Sequence, residues 1–250
     1  MASSITTPTT IPDTSQYILS QHSIQQNTIK CFIFGEENSF LPIAAINALA
    51  THENIREVVD CDSDLKKIYF PDHSRSFLAY RVYKHAQKLF VVAVAENLGM
   101  LFLRDLLRGE RAVDEYLPLD MNTRVRDEND VSWSDVDTQG FLSRQKVVCA
   151  PIFIMGSYNH SVGRQFGLPI VEARRLAGEK DDEREVYEVK FHDEYLRPSE
   201  SAEPGEELVP GRMFLMRRFA NRGEATNDES FAEAVFGFSF KGMYYLISNP

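Results

Sequence analysis

Six histidines, three cysteines, one suggestive serine and a surplus of carboxylates are the residues of this chain that could do chemistry, and their spacing decides which chemistry stays open. His22, His52, His73, His85, His160 and His192 are scattered. None sits in an H-E-x-x-H run, which would place two zinc ligands and a base on one helix face. Cys31, Cys61 and Cys149 form no C-x-x-C pair, so a zinc site has no support. Their odd number and wide spacing also argue against a disulfide framework and for reduced thiols in the cytoplasm or nucleus. Ser157 in Met155-Gly156-Ser157-Tyr158-Asn159 lacks the second glycine of a nucleophile elbow. Asp127, Glu128, Asp130, Asp135 and Asp137 lack the ligand order and central glycine of a calcium loop, and read as a solvated acidic linker. Residues 172–207 hold thirteen acids against six bases. They read either as a solvated loop and strand edge or as a docking surface for a basic partner.

The elements that would position these residues change character along the chain. Residues 1–28 are a polar, threonine-rich leader expected to be disordered, without the basic and apolar regions of a signal peptide. Ser39 with Pro42 suggests a capped helix through Ile43, Ile46 and Leu49, and Asn54 suggests a cap for a second. Leu78, Val82, Ala86, Leu89 and Ala93 fall on one stripe, the spacing of a single long helix from Ser76. After a break at Glu96-Asn97, a further helix carries Leu98, Leu101, Phe102 and Leu106 on one face. The run 89–107 is the most apolar, but Glu96, Asn97, Arg104 and Asp105 within it exclude a membrane span. Beyond Phe141 the pattern turns to strands: 168–171, 185–192 with alternating side chains, and 213–219. Asp228 suggests a cap for a short helix, and Lys241-Gly242 a hairpin inside an aromatic tail that would need covering.

A composition 43% hydrophobic and 26% charged is that of an ordered globular chain. The net charge of −10 argues against a surface built to neutralise phosphates, and so against nucleic acid or an anionic membrane as partner.

The order of several phrases carries a resemblance. Phe141-Leu142-x-x-Gln145, Ala150-Pro151-Ile152-Phe153, Leu168-Pro169-Ile170-Val171-Glu172 and Val186-Tyr187-x-Val189-Lys190-x-His192 together resemble a group of fungal protein-kinase-like proteins. In that group these phrases lead from a helical region into the first strands of the kinase small lobe. The resemblance implies a phosphate loop of pattern G-x-G-x-x-G-x-V before Val186. Counting back from Val186, the glycine positions hold Glu179, Asp181 and Arg184, and one inserted residue makes Gly178 the first and sole glycine. Arg217, in Phe214-Leu215-Met216-Arg217, stands in the lysine position. Glu233 lies near the place of that lysine's glutamate partner, although an alternative alignment puts Ala234 there, about 100° round a helix. No H-R-D or D-F-G motif occurs: His192-Asp193 lacks the arginine, and Phe236-Gly237-Phe238 lacks the aspartate. Those motifs supply the base and the Mg²⁺ ligands, so the resemblance implies a chain that does not transfer phosphate.

The resulting expectation is an α+β chain: leader 1–28, helical region 29–120, acidic linker 121–140 and a truncated kinase-like small lobe 141–250. It would be non-catalytic, take no cofactor, and act, if at all, by binding a protein. Two alternatives stand beside it. One is an ATP-binding kinase that this chain represents in part, which would take ATP and Mg²⁺; the other is a helical interaction domain with a supporting β-rich tail.

Overall fold

The computed structural model describes residues 15–33, 35–68, 71–108, 113–119, 133–154, 160–161, 166–176, 186–198, 213–219 and 245–248. The fold class is α+β, as expected. The chain divides into two units: Met1–Thr28 with Ile43–Cys149, and Ile29–Pro42 with Ala150–Pro250.

The first unit is helical and is organised around α6 (Gln87–Ala95), in which Leu89, Phe90, Val91, Val92, Ala93 and Val94 are all buried. A helix that is apolar all round must be covered on every side. Here α1 (Ser15–Asn27), α2 (Ile43–Leu49), α5 (Asp72–His85), α7 (Met100–Leu106) and α8 (Asp135–Arg144) pack against it. Two further helices, α3 (His52–Cys61) and α4 (Ser63–Lys67), belong to the unit: α3 packs on α5, and α4 on α7. No described helix is long and apolar enough to cross a membrane.

Several boundaries differ from the sequence reading, each for a local reason. The leader is not wholly without structure: α1 forms despite its Ser/Gln-rich composition because it packs on α6. Its Ile24 is buried, and the Gln21 amide donates to the Val94 carbonyl at 3.0 Å and to Asn97 Oδ1 at 3.2 Å. The cap of α3 is Thr51, whose hydroxyl accepts from the Asn54 backbone N–H; Asn54 lies inside the helix. The stripe from Leu78 to Ala93 is buried throughout but belongs to two helices, α5 and α6, which part at Ala86 (φ −145°, ψ 36°). Asn97 adopts φ 58° where α6 ends, with Leu98 N–H bonded to Ala93 O and Asn97 N–H to Val94 O. That is a Schellman stop built on asparagine in place of glycine. Finally, α8 takes in the last six residues of the expected linker 121–140 and carries on through Phe141. Ser134 caps it by accepting from Asp137 N–H, and Trp133 beside it is half-buried.

In the second unit, residues 29–40 form a hairpin, β1 (Ile29–Ile33) and β2 (Glu36–Phe40), where the sequence reading began a helical region. Ser39 is paired in β2 and caps nothing. The turn contains Gly35 at φ 75°, a left-handed conformation that glycine adopts without penalty. A parallel pair joins β3 (Phe153–Ile154) to β7 (Leu196–Arg197). The five-stranded sheet has the order β4 (His160–Ser161), β9 (Tyr245–Ser248), β8 (Met213–Phe219), β6 (Val186–Phe191), β5 (Ile170–Arg175). The three long strands run antiparallel in consecutive order, as the alternation suggested, whereas β9 lies parallel to β8 and β4. Tyr245–Ser248 of the aromatic tail is therefore an inner strand, paired between β4 and β8. The expected hairpin at Lys241-Gly242 and the helix after Asp228 lie outside the described residues.

The core of this unit joins Ile33, Phe153, Leu168, Ile170, Tyr187, Val189, Phe191, Leu196, Phe214 and Met216. On β6 the side chains of Tyr187, Val189 and Phe191 point into it, the period-two pattern of a strand.

Candidate functional site

Of the four positions that the kinase resemblance marks, two lie among the described residues, on adjacent strands. Val186 opens β6 and Arg217 lies late in β8, and the antiparallel register sets their Cα atoms directly opposite each other. The same register sets Tyr187 against Met216 and Val189 against Phe214, whose side chains are buried and hold the two strands together from the core side. Val186 is itself buried. Gly178 and Glu233 lie outside the described residues.

The chemistry available from this pair is narrow. Valine offers only apolar surface. A guanidinium is a permanent cation that donates hydrogen bonds and cannot act as a base, and it does not reproduce the compact ammonium of a phosphate-binding lysine. Neighbouring charges on the β5–β6 ladder are committed to each other, with Arg174 bonded to Glu188 across the strands. Among the described residues no three of His, Cys, Asp or Glu gather as a metal site.

Polar residues that the sequence reading did not single out are the ones most firmly built into the structure. Asp62, 1% exposed, accepts from the backbone N–H groups of Asp64 (3.0 Å) and Leu65 (2.8 Å), and also from Met100 N–H (2.8 Å). One carboxylate thus caps α4 and the start of α7 together. Gly99 lies against it: a Cβ there would stand 3.3 Å from Asp62 Oδ2, a tight contact. Asp114 does the same for α6, accepting from Lys88 N–H (2.9 Å) and Leu89 N–H (3.2 Å) where Ala86 has no side chain to offer. Asp105 accepts from Arg104 Nε (2.8 Å) and Trp133 Nε1 (3.0 Å). Burial pushes all three carboxyl groups above the ordinary aspartate value, against the lowering effect of their donors. Burial likewise pushes the Cys149 thiol up to about 11, with Lys88 opposing it and Asp114 adding to it.

In the second unit the Asn38 amide donates to Leu168 O (2.7 Å) and its oxygen accepts from Leu168 N–H (2.8 Å), fastening the hairpin to the approach of β5. Tyr195 O–H donates to Leu41 O at 2.7 Å, and the Tyr195, His192 and Phe40 rings meet edge to face. Asn38 and Tyr195 thus bond backbone atoms 130 and 154 residues away in sequence, a structural task.

No family model matches the chain, and neither any curated protein nor any solved structure matches it.

Proposed function

We propose that this chain is a non-catalytic protein-kinase-like module that works by binding another protein. The observation that supports the reading best is the register of β6 on β8. The strand that follows the phosphate-loop position and the strand that carries Arg217 in the lysine position are direct neighbours in the order β5, β6, β8, with Val186 opposite Arg217. In such a site the sequence departs from what triphosphate requires. Asp181, Asp182 and Glu183 would set carboxylates against the phosphates, and a single glycine, Gly178, cannot allow the close backbone approach of three. With no H-R-D or D-F-G segment there is neither a base for the acceptor hydroxyl nor a ligand for Mg²⁺.

The module takes no nucleotide, metal, nucleic acid or membrane as its partner, and it resides in the cytoplasm or nucleus. The test is incubation of the full chain with labelled ATP and Mg²⁺, alone and with a generic basic protein substrate. The expected result is no label on either protein above the blank. Time-dependent incorporation that grows with the concentration of the chain contradicts the proposal.

A further inference from the structure

We draw no further inference here: the strongest candidate, the buried Cys149 thiol that the charges of Lys88 and Asp114 reach at the start of α6, is a lone cysteine, and among the described residues nothing further points to a ligand or a partner there.

Discussion

Replacing Asp62 by alanine removes one side chain and uncaps two helices. The carboxylate accepts three backbone N–H groups, at 3.0, 2.8 and 2.8 Å, two at the start of α4 and one from Met100 at the start of α7. Loss of an N-cap costs about 1 kcal/mol. The Met100 N–H is buried, and leaving such a donor unsatisfied costs a further 1–3 kcal/mol or so. Relief of the carboxylate's own desolvation offsets part of this, because burial disfavours its charge. The net expectation is a loss of about 2–3 kcal/mol, a large share of a domain stability of roughly 5–15 kcal/mol. The assay is urea denaturation followed by Trp133, the only tryptophan of the chain, which packs on Phe102 within the same unit. At roughly 2 kcal/mol per molar urea, the midpoint should fall by about 1–1.5 M. Asp62→Asn keeps one acceptor oxygen and should fall between the two. If Asp62→Ala shifts the midpoint by less than about 0.2 M, the carboxylate does not hold the two helix starts and the capping argument is wrong.

Other outcomes follow from the same structure. Asn38→Ala removes both bonds to Leu168, and should raise the rate of limited proteolysis in the hairpin while leaving the Trp133 transition in place; unchanged proteolysis would contradict the fastening role. Burial raises the Asp62, Asp105 and Asp114 carboxyl groups above 3.8, so the stability they contribute is full below that value and fades as pH rises through their folded values. Asp114→Ala should therefore cost more stability at pH 4 than at pH 7, and a larger cost at pH 7 would reverse the sign of the argument. With its thiol pushed up to about 11, Cys149 should hold only about one part in a thousand as thiolate at pH 8. Iodoacetamide should accordingly label the half-exposed Cys61 long before it, as mass spectrometry of the digested chain would read.

What could be read from the sequence was what periodicity encodes locally. Val186–Phe191 alternates, the long strands follow in order, and the apolar stripe from Leu78 to Ala93 is buried as its spacing implied. The joint inside that stripe was not legible, because alanine at position 86 signals no break. At the break the N–H groups that open α6 are accepted by the Asp114 carboxylate, which lies 26 residues along the chain from Lys88. Similarly, α1 owes its helix to packing on α6, and Ser39-x-x-Pro42 mimics a helix start although Ser39 is paired in a hairpin. The candidate site divides in the same way. Arg217 and Val186 were legible as positions in an ordered set of phrases, but their facing register comes from the sheet. The buried carboxylates and Asn38 act on partners far away in sequence, and no local pattern announces them; Asp62, two and three residues before the N–H groups of Asp64 and Leu65, is the one whose capping spacing could have been noticed.

The measurement that bears most directly on the central claim is calorimetric titration of the full chain with ATP in the presence and absence of Mg²⁺. With carboxylates at Asp181, Asp182 and Glu183 and arginine at 217, no saturable heat is expected up to a nucleotide concentration of about 1 mM, with or without the metal. A magnesium-dependent site of micromolar affinity would contradict it, and would make this chain a nucleotide-binding protein.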